Sequence, residues 1–346
     1  MATQTVYHLT SFTSLEGLTP SEEKLPTITK HEVLIKIRAI SLNYRDIAIA
    51  TSKYPLPCKE NVIPCSDAAG DIIQVGEEVD ELAVGDKAIV TFDPWNLYGP
   101  LKRKHRGQGG PVDGVLAQYI VRPAVSVVKI PPGLPQSYSE WSTLVCTGAT
   151  VWNALYGNVP LKPGQTVLFQ GTGGISITGI ILAKAAGAKT IITSSSDEKL
   201  ALVKSKFQPD YTINYKTHPD WAAKALEYTN GIGVDYVLEN GGAGTIEQSI
   251  KAIAHGGTVA VIGFLADIDQ SKMPDVTMLA LQKGCIIRGI NIGPTEMLQD
   301  AVRLVAAKGL RMPVDKEFGF SRDEVIAAYE YVQSGKHIGK VSIVVE

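Results

Sequence analysis

A glycine-rich turn is the segment of the sequence whose spacing most directly suggests chemistry. Its residues are Gly171, Thr172, Gly173, Gly174 and Ile175, followed by Ser176. Gly171 permits a tight turn, and Gly173 lets the backbone approach a pyrophosphate whose charge is stabilised at a helix N-terminus. Ser176 replaces the third glycine of the dinucleotide fingerprint and is small enough for close helix–strand packing. The spacing predicts nucleotide binding by residues 171–175, and the alternative is a glycine-rich turn without a ligand.

The end of the next apolar stretch indicates which nucleotide is bound. NAD enzymes normally have an acid there that binds the ribose hydroxyls, whereas this chain has hydroxyl residues and its first acid is Asp197. A carboxylate ~4 Å from a 2′-phosphate charge would repel it by about 4 kcal/mol at an effective dielectric of ~20. The side chains of Ser195, Ser196 and Lys199 would instead accept that phosphate. We expect NADP(H) rather than NAD(H); the alternative is that Ser196 or Asp197 is an ordinary helix N-cap.

Alternating apolar strands and amphipathic helices surround this turn and must position it. Six stretches read as strands: 166–170, 189–194, 211–215, 234–240, 258–264 and 285–290. Helical patterns such as 176–188 and 198–206 separate them, and helical periodicity over 139–157 precedes the first strand. This alternation predicts an α/β fold with a doubly wound parallel sheet and right-handed crossovers.

The first ~145 residues show a different pattern of predicted elements. A chain of this length is expected to form about two domains, and this segment is one of them. Short strands separated by glycine and proline turns are predicted at 31–42, 67–76, 84–92 and 114–123. The polar, glycine-rich segment 92–111 is expected to form a long excursion. The C-terminal helix and the last strand are expected to return to this first, β-rich domain.

Composition excludes several classes of protein. The 33 basic and 35 acidic residues nearly balance, at a net charge of −2, which argues against a nucleic-acid partner. The cysteines Cys58, Cys65, Cys146 and Cys285 form no CxxC pair and fit a reducing compartment. The sequence shows no signal-peptide pattern and no apolar run of about 18 residues, so we expect a cytoplasmic protein without a membrane partner. Cys146 has no neighbouring histidine and is interpreted as a core thiol rather than a nucleophile.

Several segments together resemble the medium-chain dehydrogenase/reductase superfamily. They are SLNYRD (41–46), PCSDAAGDIIQVG (64–76), VGDKAIV (84–90), CTGATVWNAL (146–155), the turn with its flanks (162–191), VLENGGAGT (237–245), GTVAVIGF (257–264) and SGKHIGKVSI (334–343). Within the superfamily the chain looks most like the zinc-free alcohol-dehydrogenase-like proteins near the quinone oxidoreductases. The resemblance implies a GroES-like catalytic domain (1–147), a Rossmann NADP(H)-binding domain (148–290), a return to the catalytic domain (291–346) and a homodimer.

The resemblance also implies that this chain lacks the catalytic zinc of the alcohol dehydrogenases. At the positions of the zinc ligands Cys, His and Cys, it has Asn43, Ser66 and Cys146. A catalytic zinc needs three protein ligands, and segment 92–111 has none of the four cysteines of the structural zinc lobe. We therefore expect no metal, so that the carbonyl oxygen of the substrate must be polarised by hydrogen-bond donors or protonated by a side chain.

Catalytic candidates come from the resemblance of segment 43–55 to quinone and 2-enoyl thioester reductases. Tyr54 matches the tyrosine that donates a proton in the thioester reductases, and Tyr44 is the second candidate. Asn43 and Asp46 are expected to orient the site. The alternatives are that Tyr54 only packs in a Tyr-Pro turn and that Asp46 is a strand-end or cap residue.

Further cofactor contacts are implied by the same resemblance. They are Thr150 at the nicotinamide, Tyr215 at the adenosine phosphate, Gly263, Phe264, Leu265 and Asn291 at the carboxamide, and Lys340 at the pyrophosphate. Tyr215 could equally be a half-buried aromatic residue at a strand end.

Three functions remain open at this point. The leading hypothesis is an NADPH-dependent, zinc-independent reductase that transfers hydride to an activated alkene or a quinone. The second is an alcohol dehydrogenase or carbonyl reductase, which is harder without zinc because alkoxide charge must be stabilised by hydrogen bonds alone. The third is a non-catalytic NADPH-binding protein on the same fold.

Overall fold

The computed structural model describes residues 2–104, 106–266 and 269–346, without the side chain of Gln270. The chain forms two compact units, one from Met1–Ala149 with Ile292–Glu346 and the other from Thr150–Asn291. The chain thus leaves the first unit after residue 149 rather than 147 and returns after residue 291 rather than 290.

Short strands dominate the beginning of unit 1, and helices and strands alternate through unit 2. Unit 1 begins with β1 (Thr3–Leu9), β2 (Leu18–Lys24), β3 (Glu32–Leu42), α1 (Tyr44–Ala50), β4 (Asp67–Val75), β5 (Lys87–Val90), β6 (Tyr119–Pro123), β7 (Val127–Lys129) and α2 (Tyr138–Ser142). From the boundary onward follow α3 (Ala149–Tyr156), β8 (Thr166–Gln170), α4 (Gly174–Ala185), β9 (Lys189–Ser194), α5 (Asp197–Phe207), β10 (Tyr211–Asn214), α6 (Trp221–Tyr228), β11 (Val234–Glu239), α7 (Ile246–Ala252), β12 (Ile253–Val261), α8 (Val276–Lys283) and β13 (Ile286–Gly289). Unit 1 is completed by α9 (Thr295–Lys308), β14 (Val314–Phe318), α10 (Arg322–Gln333) and β15 (Lys340–Val344).

A largely antiparallel sheet organises unit 1, in the order β14-β15-β3-β4-β5-β7, with β6 also paired to β3. The C-terminal strand β15 pairs antiparallel with β3, and Val341 lies opposite Leu42. The C-terminal segment is therefore part of the β-rich unit, and its helix α10 contributes Val325 and Tyr329 to the same core. This is the GroES-like architecture expected from the sequence.

A six-stranded parallel sheet organises unit 2, in the order β10-β9-β8-β11-β12-β13. All five residues of β8 are buried, because helices cover both faces of such a sheet and leave no solvent-facing side. The strand order reverses direction between β8 and β11, the place at which Rossmann folds bind nucleotides. The predicted α/β, Rossmann-type fold is confirmed.

The structure departs from the sequence predictions in unit 1, where β1, β2 and β7 were not predicted, and also at β12 and in the helical stretch before β8. The predicted strand 258–264 is instead β12, which begins at Ile253. The helical stretch 139–157 is interrupted by a π-helical turn at Leu144–Gly148. In the parts of the chain that are described, no helix combines the length and apolarity needed to cross a membrane.

The predicted excursion 92–111 contains neither a helix nor a regular strand in its described part, and His105 within it lies outside the described residues. It packs on the N-terminus of α9, where Thr295 N–H donates to the Asn96 carbonyl at 2.8 Å and Glu296 N–H donates to the Leu97 carbonyl at 3.1 Å. These bonds satisfy helix N–H groups that have no intrahelical acceptor, so the excursion is anchored to the C-terminal part of unit 1.

Candidate active site

A buried polar cluster lies in unit 1 where β3 passes into α1. β3 ends at Leu42 and α1 begins at Tyr44, so Asn43 occupies the N-cap position, for which asparagine is well suited. The Asn43 N–H donates to Oδ2 of Asp46 at 2.8 Å. Asp46 is the acid in the first turn of α1, a position at which the helix dipole favours negative charge. The structure thus brings Asn43 and Asp46 together, while their roles in orienting a substrate stay predictions.

Lys340, the first residue of β15, belongs to this cluster. Its side chain is only 3% exposed, and its Nζ donates to the Leu42 carbonyl at 2.7 Å and to Asn43 Oδ1 at 2.5 Å. Nζ also lies 3.6 Å from Asp67 Oδ2. The expected contact of Lys340 with a pyrophosphate stays untested, but its ammonium already has three oxygen neighbours within unit 1.

Asp67 is the first of two buried carboxyl groups in the cluster. Its carboxylate is fully buried and accepts hydrogen bonds from Ser66 Oγ at 2.6 Å and from the Cys146 N–H at 3.1 Å. Burial raises the pKa of Asp67, and the charge of Lys340 opposes that rise. Cys146 lies in the π-helical turn, a distortion that is frequent at functional sites.

Asp46 is the second buried carboxyl of the cluster and is 2% exposed. Burial raises its pKa to about 6, and the charge of Arg45 is the largest opposing influence. Its Oδ1 has no hydrogen-bond partner among the described residues. Buried polar atoms are almost always hydrogen-bonded, so this oxygen is an unused acceptor next to Asn43.

Tyr54 and Tyr44 differ in their surroundings. The ring of Tyr54 packs against the unit 1 core, and the guanidinium of Arg45 lies 5.1 Å from its centroid. Arg45 also stacks on Phe92 at 4.9 Å and donates to the Gln108 carbonyl at 2.7 Å. Tyr44 is 46% exposed. The structure therefore packs Tyr54 against Arg45, and proton donation by either tyrosine stays a prediction.

The side chains at the zinc-ligand positions of the alcohol dehydrogenases do not fit zinc. Of Asn43, Ser66 and Cys146, only Cys146 is a usual zinc ligand. Burial raises the pKa of its thiol to about 12. Asn43 Oδ1 already accepts from the ammonium of Lys340. Over the described ranges, no group of three or more His, Cys, Asp or Glu residues could hold a metal ion.

The glycine turn lies in unit 2, at the carboxyl end of β8. Gly171 has φ +73°, a conformation that favours glycine. Gly173 is the N-cap of α4, and a Cβ built on it would have no heavy atom within 4 Å. Its lack of a side chain therefore leaves open space at the start of the helix. Ser176 occupies the position of the third glycine of the fingerprint. Its hydroxyl donates to the Gln170 carbonyl at 2.7 Å and so holds α4 against β8.

A cleft of about 410 Å³ opens beside this turn. Its walls include Gln170, Gly171, Thr193, Tyr215, Asn240 and Leu265. These residues lie at the carboxyl ends of β8, β9, β10 and β11 or in the loop after β12. Open α/β sheets bind ligands in such a crevice. The cleft brings Tyr215 and Leu265 together with the turn, while their contacts with a nucleotide stay predictions.

The residues after β9 start a helix. The Ser196 hydroxyl accepts a hydrogen bond from the Lys199 N–H at 3.2 Å and caps α5, so the N-cap alternative holds for Ser196. Asp197 Oδ1 accepts from Asn214 Nδ2 at 2.9 Å. Ser195 is partly exposed and does not cap the helix. Binding of a 2′-phosphate by Ser195, Ser196 and Lys199 stays a prediction.

The remaining predicted cofactor residues of unit 2 lie in varied environments. Thr150 is 1% exposed, and its hydroxyl has no hydrogen-bond partner within the described part of the chain. Gly263 must be glycine, because a Cβ there would lie 2.3 Å from the Asn240 carbonyl oxygen. Phe264 is 50% exposed, and Asn291, the last residue of the unit, is also exposed. The close approach of the Asn240 carbonyl explains why residue 263 is glycine. It does not show that this residue binds a ligand.

Glu239 is a buried residue that the sequence predictions missed. It ends β11 and is fully buried, and its Oε1 accepts from the Gly241 and Gly242 N–H groups at 2.8 Å each. Its Oε2 accepts from Gln170 Nε2 at 2.8 Å. Glu239 therefore joins the ends of β8 and β11. The available signal was an acid at a strand end, followed by Asn240 and then by two glycines.

Comparisons with known proteins agree with this architecture. The family model described as Alcohol dehydrogenase GroES-like domain matches residues 29–132, and the one described as Zinc-binding dehydrogenase matches residues 174–307. A zinc-type alcohol dehydrogenase-like protein of Schizosaccharomyces pombe is 41% identical over 100% of both chains. The structure of a protein assigned as an alcohol dehydrogenase from Sinorhizobium meliloti 1021 is 34% identical, covers 99% of this chain and 100% of that one, and has a TM-score of 0.87. A quinone oxidoreductase of Pseudomonas syringae shares the fold over 99% of each chain, at 23% identity and a TM-score of 0.79.

Proposed function

Because the chain belongs to the medium-chain dehydrogenase/reductase superfamily and is an oxidoreductase, we propose that it is a zinc-independent, NADPH-dependent reductase. Its substrate would be an activated C=C bond, as in an enone or enoyl compound, or a quinone. The observation that carries the proposal is the cluster around Asn43, which contains hydrogen-bond donors and the ammonium of Lys340 and does not fit zinc.

The geometry of the glycine turn supports binding of a dinucleotide. Ser196, Asp220 and Asp275 cap α5, α6 and α8 with their side chains, whereas among the described residues no side-chain cap is found at α4 or at α7. At Gly173 the uncapped N–H groups also face open space, which suits a pyrophosphate. When bound, the nicotinamide supplies the hydride. Residues 171–175 and the adjoining cleft would hold the cofactor.

The preference for NADPH is supported by the residues after β9. Ser195 and Ser196 are hydroxyl residues, and the acid that follows, Asp197, is engaged with Asn214. Lys199 adds a positive charge one turn into α5. A 2′-phosphate would find donors here rather than the carboxylate that normally binds the ribose of NAD.

The chemistry of the donor set favours conjugated acceptors over isolated carbonyls. Reduction of a simple ketone develops an alkoxide, which zinc enzymes stabilise with a Lewis acid. Hydride addition to the β-carbon of an enone spreads the developing charge over a conjugated oxygen, so hydrogen bonds from a site such as the Asn43 cluster are sufficient. Tyr54 or solvent would then protonate the α-carbon.

A second candidate function is reversible alcohol and carbonyl oxidoreduction. It is favoured by the alcohol-dehydrogenase-like name of the Schizosaccharomyces pombe relative, which is 41% identical over the whole chain. This function needs alkoxide stabilisation by hydrogen bonds alone, because the cluster offers no zinc ligand set.

NADPH consumption with an α,β-unsaturated ketone in the presence of a chelator tests the proposal. The product is identified by mass spectrometry and NMR. A saturated ketone is the expected result and establishes alkene reduction. An allylic alcohol would overturn it in favour of carbonyl reduction. NADPH binding without turnover of enones or quinones would leave a non-catalytic NADPH-binding protein.

We further propose that the protein is a cytoplasmic homodimer that acts on small molecules and has no nucleic-acid partner. Free cysteines and the nearly balanced charge support the location and the absence of a nucleic-acid partner. Light scattering coupled to size exclusion tests the dimer, since a homodimer has twice the mass of one chain.

A further inference from the structure

The register of two strands brings Lys340 to Asn43. Val341 of β15 lies opposite Leu42 of β3 in an antiparallel pair, so the residue before Val341 meets the residue after Leu42. The Lys340 side chain is 3% exposed. A buried ammonium is stable only when it is paired and hydrogen-bonded, and here the Leu42 carbonyl, Asn43 Oδ1 and Asp67 meet that requirement.

The contact with Lys340 fixes the orientation of the Asn43 amide. With Oδ1 accepting from Nζ at 2.5 Å, the two N–H groups on Nδ2 remain to be placed. Nδ2 is buried and forms no hydrogen bond of ordinary geometry with a described residue, although it lies near enough to Asp67 to help lower the pKa of that carboxyl. An amide has two N–H donors, so Nδ2 retains a donor for another acceptor.

The same contact strengthens that donor. A hydrogen bond from an ammonium to an amide oxygen is charge-assisted, and hydrogen bonds in a chain polarise one another. Electron density drawn toward Oδ1 makes the N–H groups of Nδ2 more positive. The positive charge of Lys340 is thereby passed through Asn43 to an atom that could bind an oxygen on which negative charge develops.

We propose that Lys340 is a positioning residue of the reductase site, which holds and polarises the Asn43 amide so that Nδ2 donates to the oxygen of the substrate. In this arrangement an ammonium–amide pair performs the polarisation that zinc performs in the alcohol dehydrogenases. The inference rests on the proposed function, and it gives Lys340 a different role from the pyrophosphate contact expected from the sequence.

Lys340→Met in the full-length protein tests this role. We expect kcat for enone reduction to fall about 10- to 100-fold, the usual range for a residue that orients a reacting group, with the Kd for NADPH unchanged within about twofold. Asn43→Ala should lower kcat similarly, and Lys340→Met should add little in that background, since coupled residues are non-additive. Lys283→Met is the matched control, because it removes another lysine–carbonyl bond, from Nζ to Ile253 O at 2.8 Å, outside the site.

Removal of Lys340 alone leaves Asp67 buried without its cation, which can destabilise the fold. The paired variant Asp67→Asn/Lys340→Met removes both charges and should fold while kcat remains low. A weaker Kd for NADPH with kcat preserved at saturation would overturn the inference in favour of the pyrophosphate role. Additive effects of Asn43→Ala and Lys340→Met would overturn action through Asn43. A wild-type protein that reduces no enone or quinone would overturn the proposed function itself, and this inference with it.

Discussion

The thiol of Cys65 lies 3.1 Å from the phenol oxygen of Tyr329, 264 positions further along the chain, and both residues are fully buried. Cys65 has φ +65°, in the left-handed region, and directly precedes Ser66 and Asp67. Gly114 packs against its backbone, where a Cβ would lie 1.9 Å from the Cys65 carbonyl oxygen. The contact from α10 therefore holds a strained piece of backbone that carries the buried acid of the site.

Tyr329→Phe should lower the free energy of unfolding by about 1 kcal/mol, because it removes one buried hydrogen bond. Urea unfolding at pH 7 measures the change. Tyr98→Phe is the control, since Tyr98 is 73% exposed and loss of its hydroxyl should change stability by less than about 0.5 kcal/mol. Equal effects of the two substitutions would mean that the contact with Cys65 contributes nothing.

Asp46→Asn should alter the pH dependence of stability. Burial raises the pKa of Asp46 from 3.8 to about 6 in the folded state, so its contribution to stability is fully present below about pH 3.8 and is lost as the pH rises through about 6. Asparagine does not titrate and can still accept from the Asn43 N–H. The variant should therefore gain about 2–3 kcal/mol relative to wild type between pH 4 and pH 7. Urea unfolding of both proteins at pH 4, 5.5 and 7 checks this, and a constant difference would contradict it.

Tyr54→Phe should lower kcat for enone reduction by at least about tenfold, because general acids contribute about 10²–10⁴-fold and solvent replaces part of that. The KM for NADPH should not change. Tyr44→Phe serves as the comparison, since Tyr44 is 46% exposed and the next candidate. A loss confined to Tyr44→Phe would transfer the proton-donor role to Tyr44, and no loss in either variant would assign protonation to solvent.

Ser195→Asp should weaken NADPH binding about 10- to 100-fold and leave NADH binding much less affected. The new carboxylate would repel a 2′-phosphate, at about 4 kcal/mol for unit charges ~4 Å apart and an effective dielectric of ~20, before screening by solvent. Ser195→Asn is the matched control, because asparagine has nearly the same shape as aspartate but carries no charge. Fluorescence titration of both cofactors measures the Kd values. The same loss in both variants would indicate a steric effect rather than phosphate recognition.

Much of unit 2 could be predicted because its determinants are local. The strand 166–170, the turn beginning at Gly171 and the helix after it follow one another directly, and β8 and β9 have the predicted bounds. Apolar runs of this length flanked by glycine turns favour buried parallel strands whatever the rest of the chain does. The π-helical turn around Cys146 was not predicted, because an extra residue in a helical turn leaves the apolar periodicity almost unchanged.

The two-domain organisation, the nucleotide-type turn and the absence of zinc-ligand residue types at positions 43 and 66 follow from the amino-acid sequence alone. Residue types and short spacings carry that information. The folded structure was needed to show that Lys340 contacts Asn43, which is 297 positions away, and that Glu239 joins β11 to Gln170. Such contacts depend on which strands pair and in what register. The register of a strand pair is set by the packing of the whole sheet, and the residues at the ends of the two strands do not reveal it.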